Sequence, residues 1–352
     1  MPKIDALFRI IKEKKASDLH LSPDNPPLMR AAGELTAIVA QKLGADEVQA
    51  LLYEMMTEPQ RQVFEANHDI DFAYEVPALQ ARFRANIFCG RLGVGGVFRL
   101  IPTEIATAEQ LGLPPAVLKF TQLKKGLVVV TGATGSGKST TLAALIDHVN
   151  RTQKGHILTV EDPIEFVHTS KSCLISQREV GRHTRSFATA LRAALREDPD
   201  IVLVGEMRDL ETIELAITAA ETGHLVYGTL HTNSAAKTVD RIINVFPVAQ
   251  QEQIRAMLAE SLKGVVAQQL LRTVDGKRCA ALEILSVTPA VANLIREGKT
   301  FQIPSVIQTG RGEGMQLMDQ AIQALVALGR VSLEEAQRYA VNKGAFQPAA
   351  KT

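Results

Sequence analysis

The chain has 352 residues, comfortable for two domains, with 46% hydrophobic and 22% charged residues and a formal net charge of +1. This is the make-up of an ordinary soluble globular protein, and the near-neutral balance argues against a dedicated nucleic-acid binder, whose binding domain is usually strongly basic. The three cysteines, Cys89, Cys173 and Cys279, lie far apart with no CxxC pair or Cys/His cluster, which argues against a disulfide framework or structural zinc and fits a reducing compartment.

No run of 18 apolar residues exists, so no transmembrane segment is expected. At the N-terminus Ile4, Leu7, Phe8 and Ile11 recur at helical spacing between charges, the pattern of an amphipathic surface helix rather than a signal peptide. DLHLS (18–22) alternates as a strand should, and a helix is expected over 46–66. DIDFAYEV (69–76) puts Ile70, Phe72, Tyr74 and Val76 on one face. LQARFRANIF (79–88) puts Leu79, Ala81, Phe83, Ala85 and Ile87 on one face and Arg82, Arg84 and Asn86 on the other. A Gly-rich turn leads into VFRLI (97–101), so residues 1–101 read as an α+β domain with antiparallel strands wet on one face. Pro102, Pro114 and Pro115 mark an interdomain linker over 102–116.

From 117 the pattern becomes α/β. Short apolar strands alternate with helices: GLVVVT (126–131), a helix near 138–150, HILTV (156–160), a helix near 185–197, IVLV (201–204), a helix near 210–222, LVYGTL (225–230) and a helix near 250–272. Fully apolar strands imply a sheet covered on both faces. This core is expected to end at 286, with a helical C-terminal region over 287–352 whose tail, GAFQPAAKT, frays.

GATGSGKS (132–139) fits G-x-x-x-x-G-K-[ST] and stands where that motif belongs, after a strand and opening a helix. Gly132, Gly135 and Gly137 let the backbone curl so that its N–H groups face phosphate oxygens, and the helix N-terminus adds a positive dipole end. Lys138 is placed to reach the β- and γ-phosphates of ATP, and the Ser139 hydroxyl to bind Mg²⁺. Thr134, Ser136 and Thr140 complete the expected nucleotide-binding set. Three more strands end in polar residues: Glu161-Asp162-Pro163-Ile164-Glu165, Gly205-Glu206 and His231-Thr232-Asn233. If the strands are parallel, all four C-terminal ends share one edge, where open α/β sheets bind ligands.

In many nucleotide hydrolases an acid follows the third of these strands directly and holds the metal. Here that slot is Gly205, and the acid comes one residue later. Glu206 is therefore read as the group that orients or deprotonates water, with Ser139 holding Mg²⁺ directly and Glu161 or Asp162 holding its water shell. His231 is read as a hydrogen-bond donor to the γ-phosphate. His224 and Glu165 are weaker candidates. Arg82, Arg84 and Arg99 are either a solvated sheet face or arginine fingers offered across a subunit interface.

LREDPDIVLVGEMRD (195–209) resembles the signature of the type II/IV secretion ATPases, a RecA-like family in which Gly-Glu replaces the usual acidic pair. TVEDPIEF (159–166) resembles that family's Asp box, GHLVYGTLHTNSAAKTVDRI (223–242) its His box, and ASDLHLS (16–22) the opening of its PAS-like N-terminal domain. The resemblance implies a RecA-like P-loop ATPase core, preceded by a smaller PAS-like domain and followed by a helical extension. It further implies a homohexameric ring binding ATP between each core and a neighbouring N-terminal domain, with Arg84 and Arg99 reaching the nucleotide.

Within the family, the short chain, the lack of the paired zinc cysteines of many extension and secretion ATPases, and AVANLIREGK (290–299) point to the pilus-retraction motors. That last segment resembles the AIRNLIRE motif, with Val291 and Ala292 standing for Ile and Arg. The implied function is Mg²⁺-dependent ATP hydrolysis powering type IV pilus disassembly and twitching motility. The implied site of action is cytoplasmic, at the inner face of the membrane, on an inner-membrane platform protein and beside an accessory retraction ATPase, with no stable nucleic-acid partner. The alternatives are an accessory retraction or secretion/extension ATPase, a RecA-like nucleic-acid translocase, and a nucleotide-gated module without turnover.

Overall fold

The computed structural model describes residues 2–31, 33–101 and 104–346. The chain divides into two compact units, Met1–Glu104 and Ile105–Thr352.

The first unit contains helix α1 (Asp5–Glu13), strands β1 (Asp18–Leu21), β2 (Leu28–Ala31) and β3 (Glu34–Ala37), helices α2 (Ala45–Met55) and α3 (Glu58–Asn67), and strands β4 (Asp69–Val76), β5 (Ala81–Gly90) and β6 (Gly93–Ile101). The six strands form one antiparallel sheet in the order β3-β2-β1-β6-β5-β4. Period-2 alternation sends Ala81, Phe83, Ala85 and Ile87 of β5 into the core, where Phe8 of α1 stacks on Phe83 with ring centroids 4.1 Å apart. The same alternation puts Arg84 and Arg99 on the opposite face, directly across from each other in the β5–β6 register.

The helix expected over 46–66 is two helices. Thr57 is extended, and the Gln60 side chain reaches back to accept from its N–H at 2.9 Å, with Pro59 in the first turn of α3. This T-x-x-Q capping box restarts the helix. Strand β2 and the edge strand β3 were not expected, because neither buries an alternating face.

The second unit runs through α4 (Pro115–Lys119), β7 (Gly126–Thr131), α5 (Lys138–Thr152), β8 (His156–Glu161), β9 (Leu174–Glu179), α6 (Phe187–Ala194), β10 (Ile201–Val204), α7 (Leu210–Glu221), β11 (Leu225–Leu230), α8 (Ala235–Asn244), α9 (Val248–Ser261), β12 (Leu262–Arg272) and β13 (Arg278–Ser286). It ends with α10 (Pro289–Arg296), α11 (Ile303–Thr309), α12 (Met318–Ala327) and α13 (Leu333–Tyr339). Its sheet has the order β13-β12-β7-β11-β10-β8-β9, parallel throughout except for the antiparallel edge strand β13. Val128, Val130 and Leu203 pack into one core layer, and Leu127, Val129, Val202 and Val204 into the other, so the sheet is covered on both faces.

The helix expected near 250–272 stops at Ser261, and the chain continues as β12 beside β7. Gly264 is the reason it fits there: a Cβ at this position would run into the Phe120 ring. Strands β9 and β13 and helix α8 were also not expected. Of the segment read as a linker, residues from Ile105 belong to the second unit, where Ala108 and Leu113 share a core layer with Val128. Pro102 and the tail from 347 lie outside the described residues.

Candidate active site

The parallel sheet brings the C-terminal ends of β7, β8, β10 and β11 to one edge, and the phosphate-loop sequence fills the turn between β7 and α5. Gly137 caps α5 with φ 87°, a left-handed conformation that disfavours any side chain. Lys138 follows as the first residue of α5. It is 9% exposed, and its Nζ donates to the carbonyls of Gly132 (2.9 Å) and Ala133 (3.1 Å). Burial pulls its pKa below the ordinary lysine value, and the negative charges of Glu206 and Glu165 partly offset this. Ser136 is buried, while Thr134 and Gly135 are exposed and Ser139 and Thr140 are half-buried in the first turn of α5.

His231, just beyond β11, bridges two neighbours. Its Nδ1 lies 3.5 Å from Lys138 Nζ and its Nε2 lies 3.0 Å from Glu206 Oε1. An ammonium can only donate, so Nδ1 is the acceptor toward Lys138 and Nε2–H the donor toward the carboxylate. The Thr232 N–H, one residue on, donates to Thr131 Oγ1 at 2.9 Å, and the same hydroxyl donates to Thr232 O at 2.8 Å. That pair fastens the His231 segment to the residue before the phosphate loop.

Glu206 Oε1 also accepts from Arg208 Nε at 2.6 Å. Burial works against ionisation of Glu206. The hydrogen bond and charge of Arg208, helped by His231, outweigh it and hold the carboxyl below the usual range. The glycine before it has a steric reason. A Cβ on Gly205 would lie 3.1 Å from Val160 O and 3.2 Å from Glu161 Cα, so a side chain in the usual metal-ligand slot would press on β8. Glu161 takes that space. Its carboxylate accepts from Thr159 Oγ1 (2.7 Å), Gln177 Nε2 (3.2 Å) and the Glu165 N–H (3.3 Å), yet burial still pushes its pKa up.

A carboxylate penalised by burial is one that a nearby cation would relieve, and hydroxyl plus carboxylate oxygens are the donor set Mg²⁺ prefers. Among the described residues no group of three His, Cys, Asp or Glu side chains could hold a metal alone. The chain's residues fit an ion held largely by water and phosphate oxygens. Asp162 is exposed, and its charge acts on Arg208.

Replacing Arg208 with Gln removes the main group holding Glu206 ionised. The acid limb of a pH–turnover profile that depends on Glu206 is then expected to move to higher pH, because the carboxylate is lost earlier as pH falls. An unmoved limb would show that Arg208 does not tune this group.

The family model described as "Type II/IV secretion system protein" matches residues 1–339. The chain belongs to this family. It is 53% identical over 337 residues to the type IV pilus retraction ATPase PilT of Pseudomonas aeruginosa, covering 96% of this chain and 98% of that one. It is 54% identical over 317 residues to a twitching motility protein of Neisseria gonorrhoeae, covering 90% and 84%. Among solved structures, that of the pilus retraction motor PilT with bound ADP superposes with a TM-score of 0.91 at 46% identity, covering 97% of this chain and 98% of that one. The RecA-like α/β class expected from the resemblance holds.

Of the residues expected at a secretion ATPase site, Lys138, Glu206 and His231 join in one hydrogen-bonded chain, with Glu161 on the adjacent strand end. Arg84 and Arg99 come together in the first unit. Arg84 Nε donates to Asp71 Oδ2 at 3.0 Å, and Arg99, 71% exposed, donates from Nε to Asp18 Oδ1 at 2.9 Å. Like charges facing each other across a strand pair repel, and these aspartates offset that. Arg82 is buried on the same strand. His224 sits at the opposite end of β11 from the phosphate loop, bonded to Ala219 O at 3.0 Å, which is a structural position. Sequence reasoning missed Arg208 and Gln177, although Arg208 stood inside the quoted signature.

Proposed function

We propose that this chain is the Mg²⁺-dependent retraction ATPase of a type IV pilus, working as a homohexamer at the cytoplasmic face of the inner membrane. The observation that carries the enzymatic part is the Lys138–His231–Glu206 chain, linking the phosphate loop to a held-ionised carboxylate at 3.5 and 3.0 Å. Near full-length identity to PilT supports the biological role. Lys138 exchanges its two backbone carbonyls for phosphate oxygens, gaining charged partners for an ammonium that burial disfavours. Glu206 orients or deprotonates the attacking water, and Ser139 and Glu161 hold the ion, directly and through its water shell. An ion held by these residues would supply positive charge to offset that of the phosphates. His231 reports loss of the γ-phosphate to the Thr131–Thr232 pair.

Arg84 and Arg99 of a neighbouring subunit then supply positive charge to the transferring phosphoryl group, giving up their aspartates for it. Movement between the two units drives pilus disassembly through a membrane platform protein. No described helix is long and apolar enough to cross a membrane.

Purified protein is expected to release phosphate from ATP, and deletion of its gene to leave cells with excess, non-retracting pili and no twitching. Loss of surface pili would indicate an extension motor. ATPase activity raised by DNA and steeply weakened by salt would indicate a translocase.

A further inference from the structure

Gln268 lies on β12, 3% exposed, with both ends of its amide committed. Its Nε2 donates to the Ser136 carbonyl at 2.6 Å, and its Oε1 accepts from Thr141 Oγ1 of α5 at 2.7 Å. Two phosphate-loop glycines are pressed against the same residue. A Cβ on Gly137 would lie 2.8 Å from Gln268 Nε2, and a Cβ on Gly132 would collide with the Gln268 carbonyl oxygen. The loop is thus folded down onto one residue of β12, Gly132 against its backbone carbonyl and Gly137 against its side-chain amide.

We propose that Gln268 is the positioning residue of the phosphate loop. The Ser136 carbonyl and the Gly137 N–H belong to one planar trans peptide and point in opposite directions. Holding the carbonyl down toward β12 therefore turns the Gly137 N–H up, into the concave side of the loop where phosphate oxygens are recognised. The Ser136 carbonyl fixes which end of the amide faces the loop, because it can only accept and so takes Nε2, leaving Oε1 to accept from the Thr141 hydroxyl. The first turn of α5 and the loop before it are held in one register by a single amide. Since the loop meets phosphate alike before and during reaction, losing this brace removes uniform binding rather than chemistry.

This inference rests on the nucleotide-binding reading above, and the experiment separates the two. ADP affinity of the full chain is measured for wild type, Gln268→Met, Thr141→Val and the double variant, with ATPase kinetics and thermal melts without nucleotide alongside. Gln268→Met keeps side-chain length and removes both hydrogen bonds. It is expected to weaken ADP and raise the KM for ATP together, by roughly tenfold, with kcat within about twofold. Thr141→Val is expected to weaken binding less. The double variant is expected to bind no more weakly than Gln268→Met, because both changes break one unit. Unchanged ADP affinity in Gln268→Met, an unchanged KM with lowered kcat, or additive effects in the double variant would overturn the proposal. Should Gln268→Met not fold, unaltered ADP binding by Thr141→Val overturns it on its own. A wild-type chain that binds no ADP overturns the nucleotide reading itself, and this inference with it.

Discussion

Glu206→Gln is expected to bind ATP about as well as wild type and to turn it over at least about a hundredfold more slowly. The substitution keeps the size of the side chain and an oxygen for Arg208 and His231, so the end of β10 should keep its shape. What it removes is the negative charge. In the wild type that charge is secured by Arg208 at 2.6 Å and His231 at 3.0 Å, which together overcome the penalty of burial. An amide can neither take a proton from water nor attract one electrostatically as water attacks. General-base contributions are typically of the order of 10²–10⁴, so the loss should fall in turnover and not in affinity. Phosphate release at saturating ATP, measured beside nucleotide affinity, checks both halves. Unchanged turnover would remove Glu206 from the reaction. Turnover and affinity falling together would make it a binding residue.

The strands that build this edge were legible because each carries its own boundary. GLVVVT, IVLV and LVYGTL are continuous apolar runs closed by polar or glycine residues, and β7, β10 and β11 begin and end where those runs do. A buried parallel strand needs apolar residues on both faces, and few other elements of that length do. The gathering of Lys138, Glu161, Glu206 and His231 was legible for the same reason, since residues just past such strands must meet at one edge. The rest depended on contacts that local pattern does not carry. Ile254, Leu258 and Leu262 keep helical spacing across the junction of α9 and β12, and only Gly264 under Phe120 and pairing with β7 make the second part a strand. Gly205 looked like a missing ligand. Its cause is the approach of β8, which brings Glu161 into the space a side chain at 205 would need. Of the altered positions of the AVANLIRE segment, Val291 is fully buried in the core, where Val for Ile is a change of packing, and Ala292 is half-buried against it, while the unaltered Asn293 and Arg296 are exposed.

Glu283→Ala is expected to destabilise the second unit by about 2–4 kcal/mol, although Glu283 lies outside the phosphate loop and the strand ends around it. This β13 carboxylate is 6% exposed and caps two helices at once. Its Oε1 accepts from the Ala235 N–H at 2.7 Å and its Oε2 from the Met318 N–H at 3.4 Å, the first residues of α8 and α12. Helix N-termini leave such donors unsatisfied, and Ala235 and Met318 are themselves 0% and 1% exposed, so water cannot replace the carboxylate. Alanine leaves both amides orphaned, at about 1–3 kcal/mol each, less the relief of no longer burying a charge.

That relief sets the pH dependence. Burial holds the folded pKa of Glu283 above the 4.5 of an ordinary glutamate, against the pull of the two amides. Stability from a raised pKa is present below the unfolded value and is lost as pH rises through the folded one. The gap between wild type and variant should therefore be wider at pH 5 than at pH 8 in denaturant melts. A gap that widens with pH, or none at either pH, would refute the double cap. Because α8 begins four residues after His231, the same carboxylate joins the edge that carries the phosphate loop to α12 and the C-terminal helices. The variant should accordingly lose protection from amide exchange in α8 and α12 together, before the sheet opens.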